Sequence, residues 1–89
     1  MKPYLISYDL NAPGKNYASL HAAIKELGAW WHFLDSTWIV SHPGPATAIR
    51  DRLKRELDSN DKLLVVHLSG EGAWVGFKPE GSDWLKQNL

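Results

Sequence analysis

The sequence predicts one α+β domain with its elements in the order β-α-β-β-α-β. Three observations carry this reading. Apolar stretches of strand length recur along the chain, and two segments between them repeat apolar residues at helical spacing. Clusters of Gly, Pro, Asn and Asp separate these segments from one another.

The first strand spans residues 4–10, where Tyr4, Ile6, Tyr8 and Leu10 alternate with Leu5, Ser7 and Asp9. Asn11-Ala12-Pro13-Gly14 stops it. Asn16 is placed to cap a helix running to about residue 27, with Gly28 as its stop. Leu20, Ala23, Ile24 and Leu27 fall on one face of that helix, while Lys25 and Glu26 point away. A second strand follows over residues 29–34. Asp35-Ser36 then forms a tight reversal into a third strand, residues 37–41.

His42-Pro43-Gly44-Pro45 cannot continue a ladder, and Pro45 suits the first position of a helix. Ile49, Leu53 and Leu57 recur along that helix at four-residue spacing, with Ala46 one turn earlier. Residues 58–61 end it. The fourth strand, residues 63–68, is almost continuously apolar, which predicts a central position or an edge covered by a partner.

This order is the split ferredoxin-like pattern, and right-handed crossovers put the first strand between the third and the fourth in an antiparallel sheet. Beyond it, residues 73–77 read as a short fifth strand and residues 82–88 as a helical turn or two. The whole of residues 1–89 forms one domain, with residues 73–89 as an extension engaged in a homodimer. A strand added to a finished four-stranded unit must pair somewhere, and a partner's edge would cover an apolar edge in each subunit.

At 89 residues the chain buries only roughly 60–65% of its unfolded surface, and without cysteine no disulfide staples it. Five tryptophans are much aromatic volume to enclose in so short a chain. Trp30 and Trp31 put an indole on each face of the second strand, so some of this surface is expected to meet a protein partner. Ten basic and ten acidic residues leave no net charge, which argues against a strong field for duplex nucleic acid without excluding a local basic patch. Arg50, Arg52, Lys54 and Arg55 supply such a run, interleaved with Asp51 and Glu56 as on a solvated helix face. The chain opens without an apolar targeting segment, and its apolar runs fall far short of a membrane span, so a cytoplasmic location is expected.

The topology gathers Asp9, the Asp35-Ser36 turn and Asp61 along one rim of the sheet. Carboxylates at strand ends are how a hard ion such as Mg²⁺ is held, with several waters retained. Asp61 can equally close a turn or pair with Lys62, and Asp35 is an ordinary hairpin residue. Asp9 is the candidate metal ligand, with a loop-bracing hydrogen bond as its competing role. His21, His32, His42 and His67 show no zinc-type spacing and read as core-edge or surface residues. Ser69-Gly70-Glu71-Gly72 lacks the lysine and the helix of a phosphate loop, so no organic cofactor is expected.

Tyr8-Asp9-Leu10, the segment Asp35-Ser36-Thr37-Trp38-Ile39-Val40 and Asp61-Lys62-Leu63-Leu64-Val65, in this order and spacing, resemble the small CRISPR-associated integration-scaffold and endoribonuclease family. The likeness covers nearly the whole chain and is nearest to a branch often found outside CRISPR loci. It implies a ferredoxin-like homodimer whose C-terminal strands complete the neighbouring sheet. It implies, too, metal-dependent nuclease action on RNA or DNA, or non-catalytic clamping of DNA. Asp9 matches the family's first-strand acid, and Ser36 matches the polar residue of its hairpin.

Two functions are therefore expected in competition. One is a Mg²⁺-dependent nuclease with Asp9 as ligand and catalytic residue and Ser36 orienting a phosphate oxygen. The other is a non-catalytic homodimeric adaptor of a defence or toxin-antitoxin system, favoured by the neutral charge and the surplus tryptophan.

Overall fold

A computed structural model describes residues 1–12 and 14–89, so the expected stop at Pro13 lies outside the described residues. The elements are β1 (Lys2–Asp9), α1 (Ala18–Glu26), β2 (Trp30–Leu34), β3 (Thr37–His42), α2 (Ala46–Lys54), β4 (Lys62–His67) and α3 (Pro79–Asn88). The four strands form one antiparallel sheet in the order β2-β3-β1-β4. The central place of β1, between β3 and β4, agrees with the expectation from its crossovers. β4 lies at an edge.

Strand alternation divides the side chains between two cores. Tyr4 and Ile6 of β1 and Trp38 and Val40 of β3 face the two helices, whose stripes supply Leu20, Ala23, Ile24, Ile49 and Leu53. Helix starts depart slightly from the sequence reading. Asn16 accepts a hydrogen bond from the Ala18 N–H at 2.8 Å, but Tyr17 is the residue at the helix boundary. Pro45 precedes α2 in extended conformation instead of opening it.

The opposite face of the sheet carries a second core of Trp31, Ile39 and Leu85, joined by Leu68, Trp74, Phe77, Trp84 and Leu89. Here the structure corrects the sequence reading: among the described residues the C-terminal segment contains no fifth strand. Residues 73–77 are irregular, with Gly76 at a positive φ. Trp74 and Phe77 pack on this chain's own Trp31 side of the sheet. The helical turn expected at 82–88 is a ten-residue helix that starts earlier, with Pro79 in its first turn. Gly81 brings α3 against β2, because its missing side chain leaves room for the Phe33 ring and lets the Trp31 indole donate to its carbonyl at 3.1 Å.

The tryptophans are thus mostly absorbed by the chain itself. Trp31 and Trp38 are buried, Trp74 and Trp84 half-buried, and Trp30 is exposed at 40%. Apolar surface also stays uncovered on β2, at Phe33 and Leu34, and on β4, where Leu64 and Val66 point away from α1 and α2 and are 55% and 38% exposed. No helix among the described residues is long and apolar enough to cross a membrane.

Candidate functional site

The C-terminal end of β1 meets the starts of β3 and β4 at one rim. Ser7 is opposite Thr37 and Asp9 is opposite Lys62. One residue past the last β1–β3 pair, the Tyr8 N–H donates to the Ser36 carbonyl at 3.2 Å, so the β2–β3 turn is tied to the strand that ends in Asp9. Asp9, Ser36 and Asp61 therefore do collect at one end of the sheet.

Their environments differ. Asp61 is consumed by structure: the Asn11 N–H donates to it at 2.7 Å, the Asp58 N–H at 2.7 Å and the Tyr17 hydroxyl at 2.8 Å. Partial burial pushes its carboxyl up, but these donors and the nearby Lys15 ammonium outweigh burial and hold it below the usual range. The loop-closing reading of Asp61 is the one the geometry bears out. Asp35 is exposed, and its carbonyl lies 3.1 Å from His32 Nε2.

Asp9 is exposed, and among the described residues its carboxylate enters no hydrogen bond or ion pair; only its main-chain carbonyl is used, accepting from Asn11 Nδ2 at 3.3 Å. The loop-bracing role open to Asp9 falls instead to Asn11 and Asp61. Ser36 is likewise exposed. An open depression of about 250 Å³ lies beside Asp9, lined by Ser7, Tyr8, Asp9, Lys62, Leu63 and Leu64. No group of three or more His, Asp or Glu side chains among the described residues is arranged to hold a metal ion. The donor set nevertheless suits Mg²⁺ in one respect. That ion binds through one or two carboxylates and keeps waters, and Asp9 is a carboxylate left free for it.

Two members of the basic run, Arg50 and Arg52, are paired with acids in place. Arg50 pairs with Asp51 at 2.9 Å, and Arg52 pairs with Glu56 at 2.9 Å and lies 3.9 Å from Glu26. Hydrogen bonds from Arg52 and from Ser19 hold the Glu56 carboxyl below its ordinary range. Arg50, Lys54 and Arg55 are exposed, in keeping with the solvated face that the interleaved charges predicted.

One grouping was missed by spacing alone. His21 of α1 and His32 of β2 converge on Trp38: His32 lies flat on the indole with ring centroids 3.7 Å apart, and the His21 ring is 5.6 Å away. The two imidazoles are 6.1 Å apart. The Trp38 indole N–H donates to the Tyr8 hydroxyl at 3.0 Å, which lies 3.2 Å from His21 Nε2. The signal available in the sequence was that His32 alternates with Trp30 on the helix-facing side of its strand. His42 lies at the opposite rim, facing Lys2 across the ladder.

No protein-family model matches this chain, and no curated protein matches it.

Proposed function

We propose that two copies of this chain form a homodimer of ferredoxin-like subunits, related to the CRISPR-associated family it resembles, and that the dimer cleaves phosphodiester bonds in RNA or DNA with Mg²⁺. The element order β-α-β-β-α-β with β1 between β3 and β4 supports the fold part of this reading. The observation that carries the chemical part is the contrast between two rim carboxylates: Asp61 is spent on loop bonds, while Asp9, at the end of the central strand, is free.

In this reading Asp9 holds the ion, with Asp9 of a second copy as a further ligand, and Ser36 orients a phosphate oxygen from the adjoining turn. The ion supplies Lewis-acid polarisation of the phosphate and a more acidic bound water. Lys62, opposite Asp9, supplies positive charge beside the same depression.

A Mg²⁺ or Mn²⁺ titration followed at the Asp9 amide by NMR tests this, at concentrations where light scattering reports a dimer. Saturable shifts centred on Asp9, lost together with nuclease activity in Asp9→Asn, are expected. No specific response overturns the metal-nuclease reading.

A second reading, a non-catalytic binding dimer, is favoured by the pairing of Arg50 and Arg52 with acidic side chains and by the exposed Leu64, Val66 and Trp30. Exposed apolar groups suit a protein partner better than a phosphate backbone. Under this reading Asp9→Asn leaves partner binding unchanged.

A further inference from the structure

One of the two hydrogen bonds at the Tyr8 hydroxyl has a forced direction. An indole N–H can only donate, so Trp38 Nε1 gives its proton to the Tyr8 oxygen. The Tyr8 hydroxyl must then place its own proton elsewhere. The one acceptor within reach among the described residues is His21 Nε2, 3.2 Å away. With Tyr8 donating to it, His21 Nε2 carries a lone pair and the ring is neutral with its proton on Nδ1. In this state each contact of the chain Trp38–Tyr8–His21 pairs one donor with one acceptor.

We infer that this chain is a proton-operated latch between α1 and the sheet, closed when His21 is neutral and opened when His21 is protonated. A protonated imidazole donates from both nitrogens. Tyr8 would then face two N–H donors, one from the sheet and one from the helix, and its own hydroxyl proton would have no acceptor. An unpaired group at a half-buried position is costly, so the helix end carrying His21 or the Tyr8 ring must move outward.

Several groups face His21. From β2 comes the His32 imidazole, from α1 itself the Lys25 ammonium one turn on, and from β1 the Tyr8 phenol. α2, packed beside α1, brings Arg52, whose charge is taken by Glu56 and Glu26. The Asp9 carboxylate is on the other face of β1, since Tyr8 faces the helices. Burial draws the His21 imidazole below its ordinary range, and His32 and Lys25 add to that shift. The latch accordingly stays closed at neutral pH and opens only on acidification.

The test uses the whole chain and two NMR readings. Nitrogen shifts report the His21 tautomer, and the exchange protection of the Trp38 indole N–H, taken relative to a free indole at the same pH, reports the latch. At about pH 8 His21 is expected as the Nδ1–H tautomer, and as pH falls from about 6.5 through the lower range in which His21 titrates, the Trp38 protection should fall at least about fivefold. In His21→Gln the side-chain oxygen still accepts from Tyr8 but does not titrate, so protection should stay level over that range. An Nε2–H tautomer at the alkaline end overturns the proposal without any variant. So does Trp38 protection that is indifferent to His21 titration, or the same loss of protection in His21→Gln.

Discussion

The Tyr17 hydroxyl donates into the Asp61 carboxylate, 2.8 Å from one oxygen and 2.9 Å from the other. Tyr17 precedes α1 and Asp61 precedes β4, so this bond joins the two crossover segments at the rim. The same carboxylate accepts from the Asn11 and Asp58 main chains, and the Ala12 N–H donates back to the Tyr17 oxygen at 3.3 Å. Burial and the Asp61 carboxylate together push the Tyr17 phenol above its usual range, as expected for a hydroxyl that keeps its proton to donate it.

Stability against acid should depend on this group. The Asp61 carboxyl titrates lower in the folded chain than in the unfolded one, so the unfolded state takes up protons first as pH falls. Its contribution is complete above the unfolded value, about pH 3.9, and is lost as pH falls through the lower folded value. Asp61→Asn keeps the shape but accepts fewer hydrogen bonds. Urea unfolding at a series of pH values should show the variant less stable than the parent at about pH 6, with the difference shrinking below about pH 4. A difference that persists unchanged in acid would mean that the ionised form of Asp61 is not what holds the loop.

The order and type of the first six elements were legible because each rests on a local period. Leu20, Ala23 and Ile24 announce one helix stripe and Ile49 and Leu53 the other, and all five are buried where expected. The C-terminal segment was not legible for the opposite reason. Trp74 and Phe77 look like strand formers, but what positions them is the Trp31 face of the sheet, assembled from residues some forty positions earlier. The rim was legible as a gathering of Asp9, Ser36 and Asp61, since topology alone puts strand ends together. Which acid is free depends on bonds from Tyr17 and Asn11, 44 and 50 residues away from Asp61 in sequence, and no local pattern carries that. His21 and His32 escaped notice similarly, because their meeting on Trp38 requires α1 already docked on β2 and β3.

Gly28 sits at the junction of α1 and β2, and a Cβ there would run into the Ser41 carbonyl oxygen. That carbonyl cannot step aside freely, because the Ser41 N–H is held by the Ala29 carbonyl at 2.8 Å. Gly28→Ala should therefore cost about 3 kcal/mol, at the upper end of what overpacking brings. Gly70→Ala is the matched control: φ is +94° but nothing lies near the added methyl, so only the backbone term of about 1–2 kcal/mol applies. Urea midpoints at unchanged slope would measure both. Equal losses at the two positions would show that contact with Ser41 is relieved by a small main-chain shift.

The proposed dimer makes its own demand on β4. This strand is an edge, and Leu64 and Val66 leave apolar surface on the side of the sheet that α1 and α2 do not cover. If a second copy packs there, a two-fold axis counts every contact twice. Leu64 is 55% exposed, so covering it is worth about 1 kcal/mol per copy, about 2 kcal/mol for the pair and roughly thirtyfold in Kd. Leu64→Ser should weaken association by that factor in sedimentation while leaving the monomer's unfolding by urea within about 0.5 kcal/mol of the parent, because the side chain contributes little to the subunit's own core. The pairing of those two readings is what discriminates. Weaker association at unchanged monomer stability locates the interface on β4. Unchanged association moves it to the other end of the sheet, where Trp30 of β2 is exposed, and a loss of both would mean that Leu64 supports the subunit itself.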